Sequence, residues 1–164
     1  MLTEQEQFEF FWHGPFSQWH PCKFTVNGVE YISAEQYMMA QKALLFGDTD
    51  THALIMAETD QKEIKKYGRM VSNFDKDIWD KNRFTIVLTA SIAKFTQNLD
   101  LKKILMDTEL KTLVEASPFD AIWGIKLAAD DYRATDRSKW KGINLLGQAL
   151  TMTREYIKWT EFKG

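Results

Sequence analysis

Along this chain the spacing of hydrophobic and polar positions changes repeatedly, and each change marks an element. In residues 23–32, KFTVNGVEYI sets two short β-branched and aromatic runs on either side of Asn27-Gly28, which predicts a tight hairpin. Ser33 opens SAEQ, a serine three residues ahead of a glutamine, the pattern of a capping box. The helix that follows is expected to reach about Phe46 and to stop at Gly47. Residues 48–58 read as a short helix, and Asp60 as the cap of another, QKEIKKY, ending at Gly68. Residues 75–97 contain neither Gly nor Pro and place Ile78, Trp79, Ile86, Ala90 and Ala93 at helical spacing, which predicts one long, central helix. A shorter helix over 101–107 and a short strand over 112–116 follow, then a structured loop at 117–124 and a polar surface loop at 128–141. A last helix begins near Asn144 or Leu145, with Leu146, Ala149, Leu150, Thr153 and Ile157 near one face. Residues 8–21, with Gly14 and Pro15, read as an irregular, aromatic-rich opening. The expected fold is mainly α, a compact helical domain with a small β-hairpin or short strands. Strand–helix alternation is missing, so a parallel-sheet fold is not expected.

Composition narrows the class rather than the activity. A chain of 164 residues fits a single domain, taken here as 1–164 with a core at about 16–154. The one cysteine, Cys22, cannot form an internal bridge, so the fold is not expected to need oxidising conditions. The acidic opening MLTEQEQFEFFWHG lacks the basic-then-apolar order of a signal peptide, and no stretch approaches the roughly 20 apolar residues of a membrane span. A cytoplasmic location without a membrane partner is therefore the expectation. A formal net charge of −2 argues against an extended nucleic-acid surface but leaves room for a small nucleotide pocket. Aromatics at 13% would suit a stacking pocket, although core packing is their ordinary use.

Candidate chemistry is sparse. Glu35 and Lys42 lie seven residues apart in one predicted helix and so nearly share a face, two turns apart. The lysine there can bind phosphate or activate a sugar carbon, and the glutamate can act as acid or base; a solvated surface pair has the same spacing. Glu115, Asp120 and Trp123 cluster around Pro118 and Gly124. They can grip an aminated ring; alternatively Trp123 fills the core and Asp120 caps the turn after it. Arg69, after a predicted helix end, is a phosphate candidate, and Arg83 follows Trp79 by one turn. No glycine-rich phosphate loop is present, which removes Rossmann and P-loop readings. His13, His20 and His52 form no compact metal pattern, and neither metal nor cofactor is expected. Ser17, His20 and Cys22 lack the surroundings of a nucleophilic triad.

Taken in order, several segments resemble the YbiA-like, or NADAR, family of N-glycoside hydrolases. They are FSQWHPCKFTVNGVEYISAEQYMMAQKALLFGD, YGRMVSNFDKDIWDKNRFTIVLTASIAKFTQN, LVEASPFDAIWGIKLAADD and WKGINLLGQAL, spread from about Phe16 to Arg154. The resemblance implies a mainly helical fold and cleavage of a bond between ribose and a ring nitrogen. One branch of the family acts on ribosylamino-pyrimidine phosphates of riboflavin synthesis and releases ribose 5-phosphate; another removes ADP-ribose from guanine in nucleic acid. A small phosphorylated ribosyl-pyrimidine is the expected partner. ADP-ribosylated nucleic acid is the alternative, and a module that binds ADP-ribose without cleaving it is a third reading. The oligomeric state is left open.

Carried over position by position, the resemblance marks Glu35, Lys42, Trp79, Glu115, Asp120, Trp123, Asp130, Asp131 and Asn144. Glu35, Lys42 and Asp120 are the expected catalytic residues. Arg69, Trp79, Arg83, Glu115, Trp123, Lys126, Asp130, Asp131 and Asn144 are the expected substrate-binding ones. One departure stands out: the family pattern GIGLAAD is GIKLAAD here, so Lys126 replaces a glycine. The change adds charge and bulk beside the expected pocket.

Overall fold

The structure is a computed structural model and describes residues 5–163, so the first four residues of the acidic opening and the last residue of the chain lie outside it. Six α-helices dominate the described residues: α1 (Ala34–Leu45), α2 (Thr49–Ala57), α3 (Gln61–Arg69), α4 (Lys76–Gln97), α5 (Leu99–Met106) and α6 (Leu145–Lys163). Four short strands accompany them: β1 (Phe8–Phe11), β2 (Phe24–Val26), β3 (Val29–Tyr31) and β4 (Thr112–Glu115). The mainly α class expected above is the class found. The chain forms two compact units, one of Gln18–Leu99 and the other of the described residues of Met1–Ser17 and Asp100–Gly164.

In the first of these, α1 packs against α2, α3 and α4, and the β2–β3 hairpin lies on α4 and α1. Asn27 (φ 51°) and Gly28 (φ 80°) take the left-handed conformations that a two-residue hairpin turn requires. Each helix begins at a side-chain cap. Ser33 Oγ accepts from Gln36 N at 3.1 Å, while the Asp48, Asp60 and Asp75 carboxylates cap α2, α3 and α4. Only half of the expected capping box forms. Gln36 reaches one residue further back, accepting from Ile32 N at 2.9 Å, and its amide donates to Ile55 O at 3.1 Å. The predicted end of α3 at Gly68 is short by one residue. Gly68 is buried inside the helix, because a Cβ there would meet Met39 Sδ of α1 at 1.8 Å. The glycine permits close packing rather than ending the helix. On α4 the inward face carries Val87, Ala90, Ala93 and Phe95, whereas Ile78 is exposed, so the predicted apolar stripe is buried only in its second half.

In the other unit, β1 pairs with β4 in parallel, Phe8 opposite Thr112 and Phe11 opposite Glu115. The aromatic opening is thus not irregular throughout, and this two-stranded ladder is a parallel pairing that the sequence pattern did not announce. α6 lies on β4 and buries all five residues predicted for its inner face: Leu146, Ala149, Leu150, Thr153 and Ile157. Val114, Ile125, Leu127 and Ala134 form a small core under Phe8, Phe10 and Trp140. The polar loop over 128–141 contributes to it through Ala134 and the indole of Trp140, which donates to Ala134 O at 2.8 Å. Within that loop, Arg137–Lys139 forms a short 3-10 turn.

Candidate functional site

The helical spacing of Glu35 and Lys42 becomes geometry in α1. Glu35 is buried at 4% exposure, and its backbone N donates to Gln18 O at 2.9 Å. Lys42, two turns on, is half-buried with its Nζ over two aromatic faces, 4.8 Å from the centroid of Phe74 and 5.5 Å from that of Trp79. Both distances lie within the range of a cation–π contact. Burial pushes the Lys42 ammonium below its ordinary pKa; the Glu35 carboxylate works against that and the Arg69 guanidinium adds to it. Arg69 is the exposed last residue of α3. One carboxylate, two cations and two aromatic rings therefore gather within this unit. Glu35, Lys42, Arg69 and Trp79 were expected there.

Phe74 was not expected. It lies in the connection between α3 and α4, next to Asn73 in a left-handed conformation (φ 60°), and the only local signal for it is that asparagine before a helix cap. Arg83 sits one turn beyond Trp79 on α4. Its Nη1 meets Asp80 Oδ1 at 3.1 Å, and its Nε is buried with no hydrogen-bond partner. An unsatisfied buried donor is uncommon enough to mark a group available to a ligand or a water.

A second group of expected residues belongs to the other unit. Asn144, 1% exposed and left-handed (φ 52°), commits both ends of its amide to β4. Its Oδ1 accepts from Glu115 N at 3.0 Å and its Nδ2 donates to Leu113 O at 3.1 Å. Asp120 Oδ1 accepts from both Ile122 N and Trp123 N at 2.8 Å, which is the turn-capping arrangement left open above. The knot closes through Gly124, where a Cβ would lie 2.7 Å from Glu115 O and 3.2 Å from Glu115 Oε2. Glu115 and Trp123 are half-buried around it. Asp131 is held by Arg133 in a two-pronged pair, at 3.0 and 2.7 Å, which lowers its pKa to about 2. Asp130 and Lys126 are exposed. Lys126 stands at φ 55°, a conformation that favours glycine, and this gives the family's glycine at that position a backbone reason. Among the described residues, no group of three or more His, Cys, Asp or Glu could hold a metal ion.

A family profile described as the NADAR domain matches residues 9–158. The chain belongs to the NADAR family. It is 52% identical over 145 residues to an N-glycosidase of Acanthamoeba polyphaga mimivirus, a match covering 85% of each chain. It is 30% identical over 149 residues to a riboflavin biosynthesis protein of Vibrio vulnificus, covering 89% of this chain and 36% of that one. The solution structure of the Escherichia coli protein YbiA superposes with a TM-score of 0.80 at 25% identity, covering 99% of this chain and 91% of that one. Relatives named N-glycosidases place this NADAR protein among the N-glycosyl hydrolases. No helix among the described residues is long and apolar enough to cross a membrane.

Proposed function

We propose that this protein hydrolyses the bond between ribose and nitrogen in ribosylamino-pyrimidine phosphates of riboflavin biosynthesis, releasing ribose 5-phosphate. The observation that carries the reading is the pairing, on one face of α1, of buried Glu35 with a Lys42 whose amine lies on Phe74 and Trp79. Cleavage of an N-glycoside develops positive charge on the sugar ring and negative charge on the departing nitrogen. Glu35 meets both needs in turn: its acid form gives a proton to the nitrogen as the C–N electron pair leaves with the base, and its carboxylate then accepts a proton from the water that adds to the anomeric carbon. Lys42 and Arg69 supply positive charge for a substrate phosphate. Trp79 offers an apolar face that excludes water beside a planar ring. The riboflavin-related relative supports this choice of substrate. The family match runs through both units, which supports reading residues 1–164 as one domain. A cytoplasmic setting goes with a chain whose one cysteine, Cys22, has no second cysteine to bridge to.

A second route is favoured by one observation, the depressed pKa of Lys42. An amine that sheds its proton more readily can attack the anomeric carbon of the opened sugar, expel the base and form an imine that water then hydrolyses. The deciding assay is hydrolysis followed by mass spectrometry, with a ribosylamino-pyrimidine phosphate in one arm and a guanine-ADP-ribosylated oligonucleotide in the other. Ribose 5-phosphate from the first arm is the expected result. Faster release of ADP-ribose from the second makes nucleic acid the substrate, and ADP-ribose binding with no cleavage in either arm makes the protein a binding module. Borohydride added during turnover distinguishes the routes, since only the imine route leaves a substrate adduct on Lys42.

A further inference from the structure

Lysine is a poor choice for a precise task unless something holds its four-carbon stem, and the fold supplies a holder from a segment outside α1. Residues 72–75 read Ser-Asn-Phe-Asp, the connection that turns through left-handed Asn73 into the Asp75 cap of α4. Asp48, the cap of α2, accepts through Oδ1 from Thr51 N at 3.0 Å and through Oδ2 from Thr51 Oγ1 at 2.6 Å. The same Oδ2 also accepts from Ser72 N at 2.9 Å, across 24 residues of sequence. The next ring along, Phe74, meets the ring of Phe46 edge-on at 5.4 Å and 64°. Phe46, the C-cap residue of α1, follows Lys42 by four residues, so both partners of Phe74 belong to the C-terminal end of α1. Hydrophobic burial alone does not account for this placement, because Phe74 remains 48% exposed. It meets the Phe46 ring and the Lys42 amine, and Trp79 of α4 gives that amine a second aromatic face.

We propose that residues 72–74 are a positioning element for Lys42: Asp48 anchors the segment at Ser72, and Phe74, braced by Phe46, holds the Lys42 amine against Trp79. Phe74 and Asp48 are positioning residues and act only through Lys42. The kinetic consequence rests on the proposed use of Lys42 in N-glycoside hydrolysis; the positioning itself does not. Displacement of a functional group by about 1 Å can cost a large factor in rate, so Phe74→Leu, which keeps apolar bulk but removes the aromatic face, is expected to lower kcat/KM by about tenfold. The loss should fall on KM where Lys42 binds the substrate phosphate and on kcat where it attacks the sugar, and Phe74→Tyr should restore the wild-type value, since it keeps the ring.

The independent readout is ¹³C reductive methylation of the lysines in the intact protein, with the Lys42 resonance assigned by its absence in Lys42→Arg. In the wild type this resonance should be displaced to high field by two ring currents. It should move toward the exposed-lysine position in Phe74→Leu, stay in place in Phe74→Tyr, and move part of the way in Asp48→Ala. A Lys42 resonance unmoved by Phe74→Leu overturns the proposal, and one unmoved by Asp48→Ala removes Asp48 from it. If the wild type cleaves no N-glycoside, the proposed function falls while the resonance still decides the positioning element.

Discussion

Individual residues carried most of the readable function, and two of them give direct tests. Glu35→Gln keeps the size and the burial of the side chain but removes its acid–base capacity, so turnover should fall by on the order of 100-fold or more with an unchanged circular dichroism spectrum. Wild-type turnover in that variant would remove Glu35 from the mechanism. Lys126 is the converse case, a residue whose backbone works against its side chain. A non-glycine residue in a left-handed conformation costs roughly 1–2 kcal/mol, and part of that is returned when glycine loses its extra freedom on folding. Lys126→Gly should therefore stabilise the protein by about 0.5–1 kcal/mol, a rise of about 2–3 °C in Tm by calorimetry. A fall in Tm would mean that the lysine stem makes packing contacts worth more than the strain. The family segment showed in advance that a glycine was missing there, but not why, because φ is invisible in a sequence. Phe74 was unreadable for a related reason: its role comes from a ring folded onto α1 from a connection 32 residues further along, and no local spacing encodes that contact.

Helices were legible because their periodicity and caps are local, and the α6 stripe came out buried residue for residue. β1 was not legible. Its partner β4 lies about 100 residues away, and four residues of FEFF beside a Gly-Pro turn carry too little alternation to stand out from irregular chain. The capping of α1 was legible in part. Serine and glutamine were both found as helix-start signals, but Gln36 is spent on joining three elements, from Ile32 after the hairpin to Ile55 in α2. That use makes it more important than an ordinary cap. Gln36→Ala leaves the part-buried Ile32 amide without its partner and takes one of two donors from Ile55 O, and it should cost about 2 kcal/mol, whereas Ser33→Ala, which loses one cap bond, should cost about 1 kcal/mol. Urea denaturation of the two variants side by side checks the order. Equal losses would mean that Gln36 is merely a cap.

At the scale of the whole molecule, stability should respond to pH in a way set largely by one buried cation. Lys94, on the inner side of α4 and 2% exposed, has its pKa lowered by burial to about 8, despite the opposing influence of Cys22. The unfolded chain releases the same proton only near pH 10.4. Between those values the unfolded state binds more protons than the folded one, so stability must rise with pH across that window. The full rise would be of the order of 3 kcal/mol. Lys42, shifted in the same direction by its own burial, adds to the slope. Tyr31 and Tyr37 oppose it from about pH 10 upward, because burial raises both phenols and the unfolded chain then ionises first. The rise should therefore be read between pH 8 and 10. Urea midpoints taken across that range at fixed ionic strength should climb in the wild type, and Lys94→Met should leave only the smaller slope owed to Lys42. An identical climb in both proteins would show that Lys94 does not set it. A lysine spent on the interior of α4 is then a charge the fold tolerates, distinct from Lys42, whose half-buried amine still faces a carboxylate and two rings.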